Sequence, residues 1–267
     1  MGEGLTRLPS NRGRCAEPRP VDRDDEGFTL IEMAIVLAII GILIAMAAPI
    51  LGNIAETNRA ELTDLRLGKI DNAVVVFLRR HGRLPCPGAP DGEVLGVERA
   101  ACSPGSGDDG IVPFRTLGLP EADARDGEGN FFTYHVASAY ADATHVPDLI
   151  ASEGFCVIGR NMPGGGLDVV DRDGLAVTDQ EIAYIVLSHG KNGYGRYGPP
   201  NTAVINADAG GPFEGENSDG DASFVDSVKL EASGRNGPYD DVAVWRTRDD
   251  LADRAVAFGC PPQASGP

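Results

Sequence analysis

From Phe28 to Ala48 the chain carries twenty-one consecutive residues, and Glu32 is the only charged one among them. As a helix rising about 1.5 Å per residue, that run matches the roughly 30 Å hydrocarbon core of a bilayer. Such a stretch needs lipid around it or the dry interior of an assembly. Glu32 is the anomaly in it. Insertion of an acid at mid-membrane depth costs about 2.5 to 3.5 kcal/mol, and less toward the interface, so an acid at this position needs a partner.

What precedes the run reads as a leader. Residues 1–27 contain Arg7, Arg12, Arg14, Arg19 and Arg23 together with six acids, and they have no apolar core of their own. Four of the acids (Asp22, Asp24, Asp25 and Glu26) crowd the end of this segment. Acids count little in setting membrane orientation, so the five arginines hold this end in the cytoplasm. Removing 27 of the 267 residues leaves 240, and the formal charge goes from −17 to −16. That balance excludes nucleic-acid binding, which needs a basic surface. It suits an exported domain or one that binds cations.

Beyond Pro49 the pattern becomes amphipathic. Leu67, Ile70, Val74 and Phe77 recur at spacings of three and four, widened by Leu62, Ala73 and Leu78, with charged residues on the other faces. One helix is therefore expected from about Thr29 to His81, with a weak point at Gly52-Asn53 and an end at Gly82 and Pro85. Residues 83–110 are rich in turn residues and read as a long surface loop. Strands are expected near 131–137, 155–158, 223–230 and 241–245, with a hairpin formed by 167–170 and 175–178 around Asp171–Gly174. Ile182–Leu187 (IAYIVL) reads as a fully buried strand, and 249–257 as a short terminal helix. The fold class is α+β: a long N-terminal helix packed on a mostly antiparallel sheet.

Cys15 falls in the leader, which leaves Cys86, Cys102, Cys156 and Cys260. An even number in an exported domain points to disulfides, and three pairings are possible. The favoured one is Cys86–Cys102, closing a Gly/Pro-rich loop, with Cys156–Cys260 tying down the C-terminus. The zinc alternative lacks any CxxC pair. Catalysis finds no support: HExxH and GxSxG are absent, and the GGG at 164–166 lacks the Lys of a phosphate loop. Ser188 and His189 are neighbours at a strand end, so their side chains point to opposite faces. The acidic runs at Asn217–Asp221 and Val169–Gly174 depart from the EF-hand pattern and read as turns.

The string Gly27-Phe28-Thr29-Leu30-Ile31-Glu32, leading straight into an apolar helix, resembles the cleavage and methylation site of type IV prepilins and type II secretion pseudopilins. The resemblance implies cleavage after Gly27 by a prepilin peptidase and methylation of the new N-terminus at Phe28. It also implies pairing of Glu32 with a neighbouring subunit's N-terminal amine during assembly. Pro49 lies twenty-two positions into the mature chain, where helices of that family bend or melt. Asp126-Gly-Glu-Gly-Asn130, followed by Tyr134, is similar to the D-x-W-G-N-x-x-x-Y stretch of the major pseudopilin, with Glu128 in the Trp position. Ser188 to Gly193, with Asp240, Asp241 and Trp245, resembles that protein's calcium loop. Carried over, Ser188, Asn192, Asp240 and Asp241 would hold calcium.

The expected organisation is a leader at 1–27, a transmembrane or filament-core helix at 28–52 and an extracytoplasmic pilin-like domain at 53–267. The expected function is a non-enzymatic structural subunit of a type IV pilus or secretion pseudopilus, minor or specialised given its long loops. Its partners would be other pilin or pseudopilin subunits, the peptidase/methyltransferase, the inner-membrane assembly platform and membrane lipid. Its location would be the bacterial inner membrane, with a periplasmic domain. The alternative is an anchored extracytoplasmic binding or adhesion protein that uses the helix only as a tether.

Overall fold

The computed structural model describes residues 28–90, 94–100, 102, 109–141, 166–197, 211–228 and 239–256, with backbone only at 47–53, 139, 252, 255 and 256. The chain divides into two compact units, Met1–Leu51 and Gly52–Pro267. Helix α1 is Leu30–His81, fifty-two residues long. It continues through Pro49 and through Gly52-Asn53, so the expected weak point does not interrupt it. A proline inside a helix removes one donor, and the helix formers on either side are enough to carry the backbone past it. Gly82 ends α1 in the left-handed conformation (φ 70°), its N–H donating to the Leu78 carbonyl at 2.7 Å.

In the first unit the described apolar side chains have no core to enter. Phe28, Leu30, Ile31, Leu37, Ile42, Leu43, Ile44 and Met46 are all exposed, on every face of the helix. Among the described residues no helix is long and apolar enough to cross a membrane.

In the second unit, Leu67, Ile70, Val74, Val75 and Leu78 of α1 enter one hydrophobic core, as their spacing predicts. The rest of that core comes from a four-stranded antiparallel sheet in the order β1-β2-β4-β6 and from the loops and short elements around it. Its strands are β1 Asp109–Ile111, β2 Thr133–Val136, β4 Ile182–Ser188 and β6 Val242–Thr247. All seven residues of β4 are buried, because it is covered on both edges by β2 and β6. Short helices α2 Ser138–Ala141 and α4 Arg248–Val256 follow β2 and β6. A third short helix, α3, is Pro212–Glu216.

Two expectations need correction. The 167–178 stretch makes a turn at Asp171–Gly174 and a single antiparallel bridge between Val170 and Ala176, so the second hairpin arm is not a strand. Leu175 and Val177 are exposed there, and nothing apolar holds them. β3 (Asp168–Val170) pairs instead in parallel with β5 (Ser223–Val225), a distant partner with no local signal. Likewise, residues 84–88 are buried, although the segment reads as a surface loop. Leu84 donates its N–H to the Tyr140 carbonyl, and Gly88 bridges both Glu98 and Ile111. The Cys86–Cys102 disulfide forms as expected. Cys156 and Cys260 lie outside the described residues, as does the expected strand at 155–158.

One buried carboxylate joins four elements of the second unit. Asp71 of α1 accepts hydrogen bonds from Tyr184 Oη of β4 (2.6 Å), from Arg246 Nε and Nη2 of β6 (both 2.8 Å) and from Arg254 Nη1 of α4 (2.9 Å). Burial alone would raise its pKa. The hydrogen bonds from Arg246 and Tyr184 and the charges of both arginines outweigh burial and hold it below the ordinary value. This stabilisation is present above the unfolded carboxyl's pKa of about 3.9 and is lost as pH falls through the depressed folded value. Asp71→Asn strands two partly buried guanidinium groups and is expected to cost about 3 kcal/mol. Urea denaturation of the full-length protein in detergent, followed by Trp245 emission, measures it. A loss below about 1 kcal/mol would contradict this role.

Candidate functional site

Two places collect the residues that the sequence singles out. The first is the start of α1. Thr29 precedes the helix and Glu32 lies three residues on, the spacing of a capping box. The Glu32 N–H donates to Thr29 Oγ1 at 3.2 Å, while Glu32 Oε2 accepts from the Thr29 N–H at 3.2 Å and from Thr29 Oγ1 at 3.1 Å. So Glu32, expected to wait for a neighbour's amine, already has donors within its own chain. T-L-I-E could have shown this from sequence, since Ser/Thr-x-x-Glu before an apolar run is the capping-box signature. Gly27 lies outside the described residues, and Phe28 is exposed.

The second place is the end of the sheet where β4 runs out and β6 begins. Asp240 and Asp241 immediately precede β6, and Asn192 lies in the turn after β4. Gly190, in the left-handed region at φ 55°, brings this turn so close that a Cβ there would collide with the Asp240 carboxylate. The structure adds a residue the sequence reading missed. Glu214 of α3, fully buried, lies with Asp240 and Asp241 so that one carboxylate oxygen from each is within 4.8 Å of the others. Glu214 stands twenty-six residues before Asp240, in a Gly/Pro-rich stretch without metal-loop spacing, so no local pattern exposes it.

The hydrogen bonding of this cluster is divided evenly. Glu214 Oε1 accepts from Asn192 Nδ2 at 2.8 Å and from the Asp240 N–H at 3.1 Å. Asp240 Oδ2 accepts from the N–H groups of Lys191 and Asn192, and Asp241 Oδ2 from Asn217 Nδ2 at 2.8 Å. Each carboxylate thus gives one oxygen to amide donors. The other three oxygens (Glu214 Oε2, Asp240 Oδ1 and Asp241 Oδ1) are buried and find no partner. Among the described residues no Lys or Arg side chain forms an ion pair with any of the three acids. Burial raises the Glu214 carboxyl pKa, opposed by its bonds from Asn192 and Asp240. Asp241 is pushed well above the carboxylate range by burial, reinforced by the charges of Glu214 and Asp240. Three orphaned oxygens and no nitrogen or sulfur donor make a set suited to a hard cation such as calcium.

The remaining expected ligands have other hydrogen-bond partners. Ser188 Oγ donates to Asp126 Oδ2 at 2.8 Å. Asn192 donates from Nδ2 to Glu214 and accepts at Oδ1 from the Tyr194 N–H. Asp126 folds its own turn by accepting from the N–H groups of Glu128 and Asn130. Gly127 packs that turn onto α1, donating to Thr63 Oγ1 at 2.9 Å, where a Cβ would collide with the Arg59 carbonyl. Beside the turn is a cleft of about 220 Å³ lined by Glu56, Arg59, Thr63, Glu128 and Lys191 among others. Asp171 and Asp221 serve as turn-forming acceptors for backbone N–H groups, consistent with plain turns.

His135 and His189 are buried side by side with the core. His189 Nε2 lies 2.7 Å from Thr133 Oγ1, and His135 packs against the edge of Phe224. Burial lowers their pKa values to about 4 for His135 and about 3 for His189, the latter also disfavoured by His135 and Arg196. They are packed as neutral imidazoles.

Residues 22–48 match the family described as the prokaryotic N-terminal methylation motif. No curated protein and no solved structure matches the chain. The N-terminal segment is therefore a class III signal of the prepilin and pseudopilin type.

Two measurements test these local arrangements. Thr29→Val removes the hydroxyl but keeps the shape, and is expected to cost the first turn of α1 about 1 kcal/mol. Amide exchange at 30–33 in detergent should speed up in this variant and stay at the wild-type rate in Thr29→Ser. Separately, both histidines bind protons more weakly folded than unfolded. Their contribution to stability is therefore full above the unfolded pKa of about 6.5 and is lost as pH falls toward about 4 and about 3. The urea midpoint should decline through that window, and a midpoint flat from pH 7 to 4 would contradict neutral burial.

Proposed function

We propose that this chain is made as a prepilin-like precursor, cut after Gly27, N-methylated at Phe28 and assembled as a minor or specialised subunit of a type IV pilus or type II secretion pseudopilus. The observation that carries the reading is the methylation motif at residues 22–48, which contains Glu32. It implies processing by a prepilin peptidase and assembly with other pilin-type subunits.

The physical chemistry of α1 supports assembly. Its first-unit side chains are apolar on every face and exposed, so they gain nothing from water and need lipid or neighbouring helices. Before assembly, we propose, the bilayer supplies that environment, with the N-terminus cytoplasmic and the second unit periplasmic. The capping box lowers the cost of a carboxylate in the apolar phase, because Thr29 supplies two donors to it. Cleavage then creates a cationic amine at Phe28, and a charge-assisted bond from a neighbour's amine is stronger than the bonds from neutral Thr29. Head-to-tail contacts of this kind do not close on themselves, so they extend a filament. The assembly platform and the peptidase are the remaining proposed partners.

The resemblance to the calcium loop of the major pseudopilin leads us to propose calcium as a bound ion held by Asp240 and Asp241. The orphaned oxygens there support it. The tether alternative uses Glu32 only as a helix cap, whereas assembly also gives its carboxylate a neighbour's amine to pair with.

Glu32→Ala is expected to leave membrane insertion and cleavage intact while lowering incorporation into filaments at least tenfold. Intact mass of the wild-type membrane protein should begin at N-methyl-Phe28. Normal incorporation of the variant sinks the assembly reading, and an uncut N-terminus sinks the processing reading.

A further inference from the structure

We infer that Glu214 is a cation ligand, and that the ion fastens the segment from α3 to β5 onto the end of the sheet. This rests on the proposal that calcium binds at Asp240 and Asp241, and it assigns the third ligand to a residue outside the pattern behind that proposal. The argument is one of unmet demand. Three carboxylates converge within 4.8 Å, each with one oxygen held by amide donors and one left buried without a partner. An unpaired buried acceptor is costly, and three on adjacent acids compound the cost. A divalent cation would meet all three oxygens at once. Two ligand oxygens on one calcium can lie up to about 5.2 Å apart, since calcium–oxygen distances run about 2.3–2.6 Å, and the 4.8 Å within which one oxygen of each carboxylate lies fits that span.

The consequence follows from what Glu214 is attached to. Its helix α3 leads to Asn217, a buried side chain that donates to the Val225 carbonyl and to Asp241 Oδ2 and accepts from the Val225 N–H. Beyond β5, Asp226 accepts from Trp245 Nε1 of β6 at 2.9 Å. Residues 212–226 are therefore joined to the sheet through Glu214 and Asn217 at one end and Asp226 at the other. Without the ion, the Glu214 attachment crowds three carboxyl groups together with no cation between them. With the ion, the same contact becomes attractive.

The chain's only tryptophan reports on this segment directly. Full-length protein in detergent, stripped with EDTA, is titrated with calcium chloride while Trp245 emission and amide exchange over 212–226 are followed. Wild type should saturate, and exchange in that segment should slow at least tenfold. Glu214→Gln removes a charge from the empty cluster, so in EDTA it should melt at or above the wild-type temperature, which also establishes that it folds. The same variant should bind calcium at least tenfold more weakly and lose the calcium-dependent protection. Wild-type affinity in Glu214→Gln overturns the assignment while leaving calcium at Asp240 and Asp241 standing. No binding by wild type up to millimolar calcium overturns both.

Discussion

The second unit is organised around a single buried carboxylate. Asp71 receives four hydrogen bonds from three side chains, and these belong to β4, β6 and α4. A hydrophobic stripe alone leaves a helix free to slide or rotate on a sheet, because apolar contact is non-directional. A bidentate guanidinium and a phenol aimed at one carboxylate are directional, and they define where α1 sits along the strands. A buried ion pair contributes little net energy beyond a hydrophobic substitute. What it supplies here is register, and the position of β6, with Asp240 and Asp241 at its start, depends on that register.

How much of this could be read in the residues differs by element. The helix was legible because fifty residues of apolar and then amphipathic pattern outweigh one proline. β4 was legible because IAYIVL is an unbroken apolar run rich in β-branched residues, and a central strand needs apolar side chains on both faces. The Cys86–Cys102 bridge followed from a short Gly/Pro-rich loop. The parallel pairing of β3 with β5 was not legible, since the register Asp168–Ser223 spans over fifty residues with no turn to fix it. Burial of 84–88 was also missed, because proline and glycine there signalled a turn while Leu84 and Cys86 were entering the core. Asp71 looked like one more polar residue on a helix face, and only its three distant partners make it otherwise.

At the candidate site the same limit applies. Asp240 and Asp241 stood out as an acidic pair with a recognisable neighbourhood, and the structure brings them together. Glu214 sits in PFEGE, a sequence with no repeat of oxygen-bearing residues. Its position is set by the fold of a long segment, and the hydrogen bonds it accepts from Asn192 Nδ2 and the Asp240 N–H carry that information. Ser188 went the other way: adjacent to the loop, it is committed to Asp126 and so to the turn packed on α1. Sequence proximity singled out Ser188, and the fold uses its hydroxyl to hold the Asp126 turn.

Three acids or groups of acids therefore meet the cost of leaving water in three ways. Asp71 is matched fully by cationic donors within its own domain, so it demands nothing from outside. Glu32 is matched locally by Thr29 with neutral donors, enough to hold a helix start, yet weaker than a charged amine would be. The cluster of Glu214, Asp240 and Asp241 is matched by half, with amides on three oxygens and nothing on the other three. The order of unmet demand is the order in which these sites should respond to something added. A chain carrying a net charge of −17 has few basic side chains to spare for that purpose. On the function proposed above, that positive charge would come from a small cation at the cluster and from another polypeptide's terminus at Glu32.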